Sequence, residues 1–189
     1  MTDLERVLIG GREKRPIVIV DYDPAWPARY RAERARIAGA LGSVARRIEH
    51  IGSTAVPGLA AKPIVDVLVV VEDPDDDAAF VPALEAAGYA LRVREPGHRM
   101  LRTPGLDVHV HVWADGEEAA RYLRLRDRLR ASAEDRAAYA ALKRELAARE
   151  WEDMNDYAAA KGPLIEAIMR RAAAPRTAAP RGSAASRGG

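Results

Sequence analysis

The 189-residue sequence predicts one domain of the α+β (or α/β) class. Three observations lead there. Short runs rich in Val and Ile, bounded by Gly and Pro, occupy much of the chain up to Trp113, and helical spacing governs the remainder. The composition, 48% hydrophobic and 31% charged, is that of an ordinary globular chain whose length suits one core. The sequence has no cysteine, so neither a disulfide framework nor a thiolate metal site holds it together.

Residues 1–15 read as a flexible leader. They mix acids and bases without a continuous apolar stretch, unlike a signal peptide. No apolar run approaches the ~20 residues of a membrane span, and the cytoplasm is the expected location. Residues 16–171 form the expected domain. Pro16–Val20 is a strand candidate, followed by Asp23 as helix N-cap, Pro24 at the first helical position and Gly42 at the C-cap. Between them Trp26, Tyr30, Ile37 and Leu41 recur at helical spacing. Val44–Ile51 reads as a strand leading into a Gly-Ser turn, and Ile64–Val71 as a second. Asp75-Asp76-Asp77 is the acidic first turn of a helix carrying Phe80, Val81 and Leu84, in preference to a metal cluster. Tyr89–Val93 and His98–Thr103 alternate as a hairpin, in which His98 reads as a turn residue. In LDVHVHVW the residues Leu106, Val108, Val110 and Val112 line one face, and Asp107, His109, His111 and Trp113 the other. Helices follow. One is capped by Asp115, the next by Ser132 with Asp135, and a last one is kinked or restarted at Gly162-Pro163. Residues 172–189 are low-complexity and expected to be disordered.

The formal charge of +2 belongs to the tail. It holds Arg176, Arg181 and Arg187 and no acid; taking these three from 30 basic groups leaves 27 against 28 acidic groups, a net −1 for residues 1–171. With few aromatics as well, nucleic-acid binding is disfavoured. Only Lys14, Lys62, Lys143 and Lys161 are lysines, which makes Lys62 and Lys161 stand out among arginines.

Asp66 stands inside an otherwise apolar strand, and a buried carboxylate is costly unless paired or ligated. Gly52 and Ser53 can offer backbone N–H groups and a hydroxyl to a phosphate. Lys62 is either a phosphate-neutralising charge or a solvated loop lysine. His109 and His111 read either as an exposed or stacked strand face or as a metal pair, since two histidines at i and i+2 on one face lie roughly 7 Å apart and can both reach one ion. If Asp66 lies on the neighbouring strand, it joins His109 and His111 as metal ligands and catalytic residues. Such a set favours Zn, Mn or Fe over Mg. His50 and Arg99 are secondary phosphate- or nucleotide-binding candidates, and Arg126 with Asp127 reads as a solvated helix face.

The segments YDPAWPARY, IEHIGSTAVPGLAAKPIVDVLVVV, DVHVHVW, LRDRLR, YAALKRELA and the Tyr157–Lys161 helix resemble, in this order, the GrpB family over residues 16–171. Such domains occur alone or fused behind dephospho-CoA kinase. The resemblance implies a nucleotidyltransferase-like mixed sheet flanked by helices. It also implies a phosphate at Gly52 and Ser53, and Asp66 as the first metal-binding carboxylate. The second belongs at position 68, where this chain has leucine, and the third corresponds to Asp107, His109 or His111. The expected function is a nucleotidyltransferase-like enzyme acting on a phosphate-bearing small molecule with a divalent metal (Mn, Zn or Mg) and a nucleotide. The competing expectation is a non-catalytic nucleotide- or metabolite-binding module.

Overall fold

In the computed structural model, which describes residues 7–173, five strands form one mixed sheet. The strands are β1 (Arg47–Ile51), β2 (Val65–Val71), β3 (Ala90–Glu95), β4 (His98–Arg102) and β5 (Val108–Ala114), in the spatial order β1-β2-β5-β4-β3. Among these strands only the central β2–β5 pair is parallel. The helices are α1 (Trp26–Leu41), α2 (Asp77–Ala86), α3 (Glu117–Ala131), α4 (Ala133–Ala147), α5 (Met154–Ala160) and α6 (Gly162–Ala173).

The two faces of the sheet have different covers. Val65, Val67, Val69 and Val71 of β2 join Val108, Val110 and Val112 of β5 on the back face, packed with Ile37 and Leu41 of α1 and Phe80 and Leu84 of α2. Each such side chain, taken fully out of water, is worth ~1.5–3 kcal/mol. On the front face Ile51, Leu68 and Val70 pack against Ala119 of α3. A third apolar cluster joins Val56 and Leu59 to Leu129, Tyr139 and Ile168 of the helical portion. The rest of the front face is left open as a cleft between sheet and helices.

Several local expectations shift. Pro16–Val20 is not a strand: only Val20 pairs, with Ala61. With Val18 57% exposed the run has no sheet neighbour to cover it. Helix α1 starts at Trp26, because Asp23 Oδ1 instead accepts from Ala25 N at 2.8 Å and closes a turn. Residues Gly42–Val44 form a 3₁₀ turn, which delays β1 to Arg47. Leu106 sits at φ +59° in the turn before β5 and is not part of that strand. Asp115 accepts from Arg47, and the cap of α3 passes to Gly116. The Ser132 cap of α4 and the restart at Gly162 match expectation.

Within the expected flexible leader, residues 7–15 are tied down. Ile9 N donates to Arg92 O, Arg102 Nη1 reaches Glu13 Oε2 at 2.9 Å, and Met154 N donates to Glu13 O. Of the expected tail, Ala172 and Ala173 close α6, and the remainder lies outside the described residues.

Candidate functional site

Strand register builds the site. Asp66 lies opposite Ile51 on one side and His109 on the other, and Leu68 lies opposite His111. Side chains alternate, so Asp66, His109 and His111 share the front face. His109 Nδ1 is 3.4 Å and His111 Nε2 3.9 Å from Asp66 Oδ1, and one ligand atom from each residue fits within a 4.8 Å cluster. Burial pushes the Asp66 carboxyl up, but the two imidazoles beside it outweigh this, and its pKa is held below the usual carboxylate range. His109 Nε2 is buried without a hydrogen-bond partner.

Gly52 explains how the turn approaches this carboxylate. It holds φ +69°, and a Cβ there would run into Asp66, 2.9 Å from its Cγ. Only glycine suits both the conformation and the space. The hydroxyl of Ser53 accepts from Lys143 Nζ at 2.9 Å and lines the cleft.

The cleft encloses about 490 Å³, and its helical wall carries lysines. Lys143 sits one turn beyond Tyr139 on α4, with its Nζ 4.7 Å from that ring, and also donates to Ala60 O. Lys62 and Lys161 both approach the ring of Tyr157, at 5.1 and 4.7 Å. Burial pushes Lys143 down to about 7, with the charges of Lys161, Arg144 and Lys62 adding to it and Asp66 opposing. Burial and then Lys62 push Lys161 down to about 8, and Lys62 is itself lowered by burial. Three of the chain's four lysines therefore converge where each raises the cost of charging the others.

Period two also places the candidates that do not join. His50 lies opposite Val67 and faces back, stacked on Tyr30 at 4.5 Å and bonded to Thr54 Oγ1 at 3.0 Å. Arg99 lies opposite Val112 and reaches Asp77 Oδ1 at 2.6 Å and Asp75 Oδ1 at 2.9 Å, on the back face. Both are corrections: they sit across the sheet from the cleft. Asp107 is held by Thr103 and Arg29 outside β5, away from the cluster. His98 is no turn residue; it is buried on the front face against His111. Arg126 is not solvated either, and donates to Glu49 Oε2 and His50 O, both at 3.0 Å, at the cleft wall. Parity along β4 and the scarcity of lysine were the available signals for His98 and Lys143.

The family model described as GrpB protein matches residues 16–171. This chain belongs to the GrpB family. Its relatives include a UPF0157 protein of Streptomyces coelicolor, 55% identical over 89% of this chain and 91% of that protein. A UPF0157 protein of Halalkalibacterium halodurans is 46% identical over 90% of each. A dephospho-CoA kinase of Mycolicibacterium paratuberculosis is 31% identical over 84% of this chain but only 46% of its own length. The crystal structure of conserved protein GrpB from Enterococcus faecalis superposes with a TM-score of 0.72 and 31% identity, over 82% of this chain and 96% of that one. The GLD-2/RNP-8 complex structure matches at TM-score 0.54 and 14% identity, covering 82% of this chain and 62% of that one, a likeness of fold alone. The GrpB fold here is the nucleotidyltransferase-like α+β sheet. Its Leu68 is fully buried beside Ile51 and Val70.

Proposed function

We propose that this GrpB-family protein binds a phosphate-bearing small molecule, such as a nucleotide, together with a divalent metal, as a nucleotidyltransferase-like enzyme. The observation that carries this reading is the convergence of two charge sets on one cleft: Asp66, His109 and His111 from the sheet, and Lys62 from the loop before β2 with Lys143 and Lys161 from the helical portion. Like charges gathered in a half-buried space are unfavourable by themselves, and an anion relieves the repulsion. The ligand set fits a metal, because a buried orphan imidazole nitrogen and an N···O gap of 3.9 Å leave donors that do not satisfy one another. When bound, such an ion would polarise a phosphoryl oxygen and offset its charge. The lysines hold the remaining phosphate oxygens, Ser53 donates its hydroxyl, and Gly52 lets the phosphate approach the backbone.

Metal analysis of the purified protein, then a thermal-shift screen of nucleotides and CoA precursors with Mn, Zn or Mg, tests this. CoA precursors belong in the screen because one relative is named a dephospho-CoA kinase. His109→Ala with His111→Ala should abolish metal retention, and Lys143→Met with Lys161→Met should abolish ligand stabilisation. Unchanged metal content and stabilisation in these variants would overturn the reading. Leu68 supports a second one: with leucine where a second carboxylate would stand, the cleft serves as a binding module. Ligand that binds and stays chemically intact with every acceptor tried would favour it.

A further inference from the structure

Behind His111 the front face carries two side chains to which the proposed function gives no role, Glu95 and His98. Glu95 Oε1 lies 2.5 Å from His98 Nδ1, and His98 Nε2 lies 3.3 Å from His111 Nδ1. His111 Nε2 is the atom turned toward Asp66. The two ring planes are nearly parallel, 5° apart with centroids at 5.5 Å, an orientation that allows an N–H···N hydrogen bond between them. The Trp113 ring lies flat against His98, at 4.2 Å and 12°, so the imidazole cannot rotate out of this plane without breaking the stack.

These contacts assign the protons. A carboxylate only accepts, so the His98 proton sits on Nδ1 and faces Glu95. For a neutral ring, Nε2 of His98 is then a lone pair. It accepts only if His111 carries its proton on Nδ1. His111 Nε2 is thereby left bare, facing a carboxylate oxygen that is also a lone-pair donor. Two such donors repel unless a cation lies between them.

We propose that Glu95 and His98 are positioning residues that fix His111 in its Nδ1–H tautomer and present its Nε2 as a metal-ligating nitrogen beside Asp66. The inference builds on the metal reading of the cleft. It deepens that reading by placing the control of ligand form two residues away, at the half-exposed carboxylate of Glu95. Outer partners of this kind commonly set metal affinity by about 10–100-fold.

The test uses the full chain and two readouts. Titration with Zn²⁺ and Mn²⁺ against a competing chelator gives affinity. Long-range ¹H–¹⁵N correlation of the metal-free protein, above the histidine titration range, gives the tautomer of each imidazole, with the His111 signal assigned by its loss in His111→Gln. We expect His111 as Nδ1–H in the unsubstituted protein. Glu95→Gln, whose amide can donate to His98, should shift it toward Nε2–H and weaken metal binding about 10–100-fold. His98→Ala should weaken binding similarly; the more exposed Glu95 keeps the proposal testable if that variant fails to fold. An Nε2–H tautomer in the unsubstituted protein, or equal affinity in all three proteins, overturns the positioning role. An unsubstituted protein that binds neither ion while His111 stays Nδ1–H overturns the metal reading itself, an outcome distinct from failure of the relay.

Discussion

Gly52 and Asp66 constrain each other directly. Gly52→Ala forces a side chain into a left-handed conformation and into the Asp66 carboxylate, and should cost about 1–3 kcal/mol. Urea denaturation checks this, and adding Asp66→Ala should recover part of the loss, because the clash is shared. His50 gives a pH signature. Burial pushes it down to about 4, below its ordinary value near 6.5. The unfolded chain therefore binds a proton that the folded chain refuses, and stability falls as pH drops from about 6.5 toward 4. His50→Phe should flatten that part of the stability–pH curve. For Lys143, pushed down to about 7, stability is lost as pH falls from about 10 toward 7, where the unfolded lysine protonates first. Lys143→Met should thus gain on the parent protein across this range, read from urea midpoints at the two ends. A residue that destabilises the fold at neutral pH is a mark of a binding surface.

Strand β2 divides its residues between two tasks. Asp66 opens to the cleft, whereas Leu68, two residues on, is sealed under α3 with Ile51, Val70 and Ala119. Leu68→Asp restores the carboxylate that the family resemblance implies, but buries it in an apolar cluster. It should cost several kcal/mol and lower Tm sharply, rather than improve metal binding. Strand β4 divides likewise. Arg99 anchors the start of α2 through Asp77 and the preceding turn through Asp75. Arg99→Met should lower stability by about 1–3 kcal/mol, while ligand stabilisation of the folded protein stays as in the parent. A loss of ligand binding without loss of stability would contradict its back-face position.

The molecule as a whole hides its charge from its composition. Residues 1–171 carry a net −1, yet the cleft is lined by seven lysine and arginine side chains against three carboxylates, Glu13, Asp66 and Asp153. Binding of an anionic ligand there should weaken with added salt as screening grows, and as pH rises through the about 7 and about 8 of Lys143 and Lys161. Titration calorimetry at two salt concentrations and across that pH range measures both trends.

Apart from Pro16–Val20, the strands and helices, the apolar face of β5 and the family were largely legible in the chain, because period and local motif are properties of neighbours in sequence. The alternation of LDVHVHVW already put His109 and His111 on one face, and the isolated acid in an apolar run marked Asp66. Parity, applied to HIGS and to HRML, would have sent His50 and Arg99 to the back and His98 to the front. What alternation cannot supply is the neighbour across the gap. The sheet register decided that Asp66 meets His109, and helix docking decided that Lys143, some ninety residues from Ser53, touches its hydroxyl. Such contacts are fixed by long-range packing of apolar faces, and no local stretch of sequence encodes them.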